Sequence, residues 1–392
     1  MIDVPQNVQD ILQSFARAGF AAYAVGGCVR DSLLRRPVHD WDICTAARPE
    51  EMPGCFPGER LLPTGIQHGT MTLLRDGEPY EMTTFRCDGD YTDHRRPDSV
   101  RFVRELESDL ARRDFTVNAM ACDAAGRVQD PFGGQEDLKT KTLRCVGEPK
   151  KRLDEDALRI LRALRFAANY DFMIEPATAA AMLELKTTLR RVSAERILQE
   201  LRRLLPAPAA GRVLEEFFPI VRVFIPELPE EPGVLPAAFA RCPADETLRF
   251  TLLLSSLSRE EGEAVLRRLR AENTLRRDVG ETLELLQYPT PETLPALKRC
   301  AARFGPAAFR RALLVRQALG ENSAAVLAEL EKLVKENACL SVKQLAVNGQ
   351  DLLALGFAGR ELGAVQQYLL DAVLDGFSND REKLLALAAF KK

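Results

Sequence analysis

Long apolar runs are missing from this chain. None approaches the roughly 20 residues needed to span a bilayer, and the opening segment, MIDVPQNVQDILQSF, lacks the basic-then-apolar pattern of a signal peptide. A membrane-spanning or secreted protein is therefore not expected, and the cytoplasm is. The nine cysteines are scattered and form no CxxC pair. That argues for free thiols in a reducing compartment and against a disulfide framework or a zinc site. Histidine is scarce: His39, His68 and His94 lie far apart, with no metal-ligand spacing. Low-complexity segments and exact internal repeats are absent too. A global excess of positive charge is also lacking, since the net charge is −3. Any polyanion must be met by local clusters of arginine, such as Arg112–Arg113, Arg202–Arg203 and Arg310–Arg311.

What is present is a globular composition. With 392 residues, 46% of them apolar and 28% charged, the chain is too long for one core and implies two to four domains. Residues 5–19 carry Val8, Ile11, Leu12 and Phe15 at helical spacing. AAYAVGG (21–27) reads as a buried strand entering a tight turn, and VRDSLLRR as a helix stopped by Pro37. DWDICTAA (40–47) reads as a second strand. MTLLRDGEPYEMTTFR (71–86) reads as a hairpin about Asp76–Gly77. RRDFTVNAMA (112–121) is expected to open another helix, and DPFGGQEDL (130–138) is turn chemistry. From about residue 150 strand signals vanish. LDEDALRILRALRFAANY (153–170) predicts one strong helix with acidic residues at its favourable end, and SAERILQELRRLL (193–205) a helix capped by Ser193. The proline-rich PELPEEPGVLP (226–236) marks a linker or domain edge. The layout is α+β: a small mixed head followed by helices.

The chemistry concentrates in GGCVRDSLLRRPVHDWDICT (26–45). Gly26 and Gly27 at a strand-to-helix turn let backbone N–H groups approach an anion, and Arg30 lies one turn further on. On a strand, Asp40 and Asp42 point to one face while Trp41 points to the other. Two carboxylates so placed repel unless a cation sits between them, which suits Mg²⁺ beside a triphosphate. Glu81 is either a third carboxylate, if its strand pairs beside the aspartates, or an ordinary exposed strand glutamate. By itself this stretch fits any nucleotidyltransferase, including one that modifies a sugar or a protein.

GGCVRD…HDWD, then RRDFTVNAM, DPFGGQEDL, EDALRILRALRFAA and SAERILQEL resemble, in that order, motifs A to E of class II CCA-adding enzymes and bacterial poly(A) polymerases. The resemblance spans about residues 20–205 and implies a polymerase-β-like head with helical neck, body and tail. The corresponding divisions are 1–140, 141–205, 206–275 and 276–392. It implies that Asp40 and Asp42 bind Mg²⁺ and that Gly27, Arg30 and Arg113 contact the nucleotide. Gly26 and Arg112 are additional contacts. Asp114 holds the sugar, and Asn118, one turn on, is expected to tie their helix to the metal strands. It implies further that Asp156 and Arg159, i and i+3 on one helix, read the incoming base. A carboxylate accepts from the amino group shared by cytosine and adenine, and a guanidinium donates to the adjoining ring nitrogen. Uracil and guanine present the opposite polarity. Arg162 continues the same spacing toward the nucleotide. Arg165 is carried over from the motif alone, because on an ideal helix it lies nearly opposite Asp156.

The expected reaction is addition of CCA to the 3′ end of tRNA from CTP and ATP without a nucleic-acid template, releasing pyrophosphate. The loop DGDYTDHRRPDSV (88–100) resembles the segment that lets such enzymes change from C to A, and its full length favours complete CCA addition over a CC- or A-adding enzyme. A poly(A) polymerase shares the motifs, but residues 320–392 are not basic, and GQDLLALGFAGRELGAVQQYLLDAV resembles the CCA-adding tail. The few histidines exclude an appended HD phosphohydrolase. An RNA-binding module with a dead head would require loss of an aspartate, and both are there.

Overall fold

The computed structural model describes residues 1–89 and 100–391. They form two compact units, Met1–Phe224 and Ile225–Lys392. In the first unit, α1 (Gln6–Arg17) buries Val8, Ile11, Leu12 and Phe15, as its spacing requires. Strands β1 (Ala22–Val25), β2 (Ile43–Thr45), β3 (Arg60–Gly65), β4 (Thr70–Arg75), β5 (Glu78–Thr84), β6 (Ala121–Cys122) and β7 (Val128–Gln129) make one sheet, ordered β3-β4-β5-β2-β1-β6-β7. β2 and β5 are parallel; every other pairing is antiparallel. Asp76 and Gly77, both with positive φ (54° and 84°), turn the β4–β5 hairpin as expected.

Register decides what meets at the sheet's end. Ala24 pairs with Ile43, and Ile43 with Met82. The exit of β1, Asp42 and Glu81 therefore lie side by side. Val25 donates to the Asp42 carbonyl at 2.9 Å, and Gly26 to the Met120 carbonyl at 3.1 Å. The turn opens α2 (Gly27–Leu33).

Three local expectations are corrected. The β2 strand covers only Ile43–Thr45, so Asp40 is not on a strand and the two-residue alternation does not place it. RRDFTVNAMA is not helical. Helix α3 (Leu106–Ala111) ends at Arg112, a short 3-10 turn spans Thr116–Asn118, and β6 follows. The cause is pairing across this segment: Thr116 donates to the Arg144 carbonyl (3.0 Å), and Val146 to that of Asp114 (3.1 Å). Those backbone groups are taken before a helix could use them. From Asp114 on, the whole of this segment is buried, the polar Thr116 and Asn118 with the apolar Phe115, Val117 and Ala119 between which they alternate.

The third correction is at Asp156. Residues 153–170 are not one helix: α4 (Pro149–Glu155) ends, Asp156 is extended (φ −140°, ψ 104°), and α5 (Leu158–Tyr170) begins. Asp156 Oδ1 accepts the Leu158 amide at 3.0 Å, an N-terminal donor that continuous helix would leave to the backbone. Ser193 does precede α6 (Ala194–Leu204) in extended conformation, but its side chain makes no capping bond. In DPFGGQEDL, Asp130 accepts from the amides of Gly134 (2.7 Å) and Gln135 (2.8 Å). A Cβ on Gly134 would lie 2.3 Å from the Thr116 carbonyl oxygen, so only glycine lets this turn seat beside the 3-10 segment. Residues 90–99, most of the expected C-to-A loop, lie outside the described residues.

The second unit is helical throughout its described length, from Leu235–Arg241 to Arg381–Ala389. Phe309, Leu313, Leu330, Leu352, Leu369 and Leu384 are among the buried residues of its core. Ser258 and Asn348 start two of its helices with capping boxes. Its helix Arg259–Arg268 packs through Gly262, where a Cβ would stand 2.3 Å from Leu283. All nine cysteines are free thiols. Among the described residues, no helix is long and apolar enough to cross a membrane.

Candidate active site

Gly26 has φ +80° and ψ −122°, a backbone that side chains rarely adopt, and a Cβ there would come within 3.0 Å of Arg113 Nη1. The turn is thus tight because a guanidinium is pressed against it. Arg113 is weakly committed to protein partners. Its Nη2 lies 3.4 Å from Asp109, and its buried Nε has no partner. An unsatisfied buried donor on a cation is costly, and beside an open glycine turn it suits a phosphate oxygen. Arg112 is turned away, with Nε and Nη2 on Asp109 Oδ1 at 3.0 and 2.8 Å.

Arg30 has the opposite character. Its guanidinium donates to Asp31 (3.0 and 2.8 Å), to Asn118 Oδ1 and to the Tyr170 hydroxyl (2.6 Å), and it lies 4.5 Å from the Tyr170 ring centre. It is buried and largely spent on protein, so the structure gives it a bracing geometry. Asn118 passes the connection on: its amide donates to Asp114 Oδ1 at 3.1 Å. Asp114 Oδ2 takes two bonds from Arg162, at 2.8 and 2.6 Å, and Oδ1 takes the Phe115 amide at 2.8 Å. Asn118 thus links Asp114 to Arg30 on α2. Burial alone would raise the Asp114 carboxyl. The Arg162 charge, the Asn118 bond and Arg159 outweigh it and hold the group well below the usual carboxylate range.

Asp40 and Asp42 stand at the end of the sheet with Glu81. The protein around the Asp42 carboxyl raises it above its usual range. Glu81 and Asp40 push the same way, and Arg113 opposes them. Three carboxylates therefore feel one another here, a repulsion that a bound cation relieves. Their hard oxygen donors suit a divalent ion. Among the described residues, no three His, Cys, Asp or Glu side chains are grouped closely enough to hold a metal. Of the two carboxylates that act on Asp42, Glu81 weighs more than Asp40.

The side chains of the two expected base-reading residues have separate partners. Asp156 Oδ2 bonds Arg196 at 2.8 Å. Arg159 bonds Glu155 (2.6 Å) and the carbonyls of Arg152 (2.7 Å) and Arg112 (3.1 Å). Asp156 precedes the helix that carries Arg159, and its carbonyl accepts the Arg159 amide at 2.9 Å. Arg162 reaches the Asp114 side of the site. Arg165 is turned to Glu200 (2.6 Å), a bond that ties α5 to α6. Sequence reading missed Asp109, Tyr170, Glu155, Arg196 and Glu200. Four of them lay in view: Glu155 adjoins Asp156, Tyr170 ends LDEDALRILRALRFAANY, and Arg196 and Glu200 sit inside SAERILQEL.

A mixed sheet whose end gathers a glycine turn, an arginine and an aspartate pair, followed by helices, defines a nucleotidyltransferase. A family model described as the poly A polymerase head domain matches residues 22–144. The RNA and SrmB binding-site model of polymerase A matches 171–228, and tRNA nucleotidyltransferase domain 2 matches 243–388. The CCA-adding enzyme of Geobacillus stearothermophilus is 38% identical, covering 97% of this chain and 96% of that protein. That of Enterococcus faecalis is 36% identical over 96% and 94%. The crystal structure of the Bacillus stearothermophilus CCA-adding enzyme in complex with CTP superposes with a TM-score of 0.80, at 32% identity over 98% and 97% of the two chains. The chain belongs to the class II CCA-adding enzymes of the tRNA nucleotidyltransferase and poly(A) polymerase family. Enzymes of this family use divalent metal ions.

Proposed function

We propose that this protein adds cytidine, cytidine and adenosine to the 3′ end of tRNA from CTP and ATP, in the cytoplasm, with the residues at the end of the sheet carrying the transfer. The observation that supports this most directly is the meeting of the Gly26 turn, the unpaired Arg113 Nε and the Asp40–Asp42 pair at one place. Gly27 and Arg113 contact the triphosphate. Gly26 keeps the backbone close to it. Asp114 has both oxygens engaged, by Arg162 twice, Asn118 and the Phe115 amide, so it supports the ribose side of the site by holding Arg162 and Asn118 in place. Arg30 braces the turn through Asn118. Arg112 supports Arg113 by sharing Asp109. Asp156 and Arg159 select the base, Arg162 and Arg165 hold the helix that carries Arg159 and follows Asp156, and Glu81 adds negative charge beside the aspartate pair.

Asp40 and Asp42 would hold Mg²⁺, and bound ions there supply activation of the 3′-hydroxyl and screening of the triphosphate charge. The functional divisions are those of the sequence: head 1–140, neck 141–205, body 206–275 and tail 276–392. The tRNA nucleotidyltransferase match over 243–388 supports a tail that meets tRNA, and it favours CCA addition over poly(A) synthesis.

The test is incorporation by purified protein with Mg²⁺ and each labelled nucleotide, on tRNAs lacking three, two or one terminal nucleotide. The expected outcome is C, C and A added once each in order. A long A tail on any RNA marks a poly(A) polymerase, and no incorporation marks a binding module.

A further inference from the structure

Asp156 sits between two helices in an extended step, so no helical turn fixes its side chain. Two donors do. The Leu158 amide holds Oδ1 at 3.0 Å, and Arg196 Nη2, from the first turn of α6, holds Oδ2 at 2.8 Å. The side chains keep 16% and 25% of their exposure, so a small ligand can still reach the pair. A carboxylate oxygen offers two acceptor positions, so each has one left. Arg159 cannot perform this task, because its guanidinium is turned to Glu155 and to the carbonyls of Arg152 and Arg112.

We propose that Arg196 is a positioning residue for base choice: it locks the Asp156 carboxylate in the orientation that accepts cytosine and adenine and rejects uracil and guanine. This rests on reading Asp156 as the base selector. A fixed carboxylate bonds the exocyclic amino group of the correct bases and meets the carbonyl oxygen of the wrong ones acceptor to acceptor. That rejection is only as large as the cost of Asp156 turning aside. With Arg196 present, turning aside breaks a charge-assisted bond and strands a half-buried guanidinium. Without it, the carboxylate swings clear and the wrong base enters. Rejection built on unpaired buried groups depends on their being unable to relax.

The experiment measures kcat and KM for CTP, ATP, UTP and GTP with the full-length protein and its Arg196→Ala, Arg196→Lys and Asp156→Ala variants, on tRNA lacking its terminal nucleotides. Arg196→Ala should lower the CTP-over-UTP ratio of kcat/KM by about tenfold or more. The kcat for CTP should stay within about threefold of the parent. Arg196→Lys, which keeps one charged donor, should restore part of the ratio. Asp156→Ala should lower the ratio at least as far, and adding Arg196→Ala to it should lower it no further. If Asp156→Ala loses discrimination while Arg196→Ala keeps it, Arg196 has no such role and the base-selector reading stands. If both keep it, that reading itself fails. A uniform fall in rate for all four nucleotides at an unchanged ratio would also overturn the proposal, leaving Arg196 a purely structural part.

Discussion

Removing the Asp114 carboxylate tests whether the buried polar chain under the site is a structural tie. Asp114 is 8% exposed and accepts from Arg162 twice, from Asn118 and from its neighbour's amide. Asp114→Ala leaves all of those donors without an acceptor. Breaking a buried pair from one side costs about 3–5 kcal/mol. The Arg162 side chain is 34% exposed, so water takes up part of its charge and the lower end, about 3 kcal/mol, applies. At about 2–4 °C per kcal/mol for a unit of this size, the first unit should melt about 6–12 °C earlier. Trp41, the only tryptophan, lies in that unit, and its fluorescence during urea unfolding follows it separately from the second. The pH dependence fixes the mechanism. Asp114 has a depressed pKa when folded, so its contribution is complete above the unfolded value of about 4 and fades as the pH falls through the folded one. The gap between parent and variant should therefore narrow by up to about 1.4 kcal/mol per pH unit below about 4. A gap as wide at pH 3 as at pH 7, or none at pH 7, would refute the reasoning.

Other perturbations separate chemistry from support. Asp42→Asn, and likewise Asp40→Asn, should cut incorporation of CTP and ATP alike by on the order of a thousandfold. The urea midpoint should hold or rise, because a mutual repulsion is removed; more than a tenth of the parental rate would count against the pair. Gly26→Ala places a methyl against Arg113 in an unfavourable backbone region, at about 1–2 kcal/mol. Steady-state kinetics should show KM rising together for both nucleotides, and a change confined to one would mean that the turn reads the base. Gly134→Ala drives a Cβ to 2.3 Å from the Thr116 carbonyl and should destabilise the first unit by about 1–3 kcal/mol in the same urea assay. Gly133→Ala meets open space, so its cost is limited to that of its φ of +76°.

The strand, turn and hairpin at the start of the chain were legible because local chemistry decides them. Val25 runs into Gly26 with no side chain to oppose a positive φ, and Asp76–Gly77 turns a hairpin whatever surrounds it. The segment Asp114–Ala121 was not, because its backbone groups pair with residues 144–146, and no local pattern reports a partner thirty residues away. The alternation of Phe115, Val117 and Ala119 with Thr116 and Asn118 was the available sign, overridden by the arginine pair that reads as a helix start. At Asp156 a continuous apolar period hid a break made by one side chain bonding two residues ahead. Motif order picked out residues but not their partners: Asp156 meets Arg196 and Arg159 meets Glu155, neither of which i, i+3 spacing predicts.

These partners change what the arginines can do. Arg30, Arg159, Arg162 and Arg165 each face a carboxylate or carbonyls within the first unit. A guanidinium already neutralised inside the protein has little left for a phosphate, so its contribution is position. Arg113 is the exception: a weak 3.4 Å bond and a buried Nε with nothing to donate to. The chain Asp31–Arg30–Asn118–Asp114–Arg162 then runs from the helix behind the glycine turn to the helix after Asp156. On the proposed function it joins the triphosphate side of the site to the helix that carries Arg159. Triphosphate binding is common to all four nucleotides and cannot choose among them. On the proposed reading selectivity enters at Asp156, which the Leu158 amide and Arg196 hold, and it is as sharp as Asp156 is still.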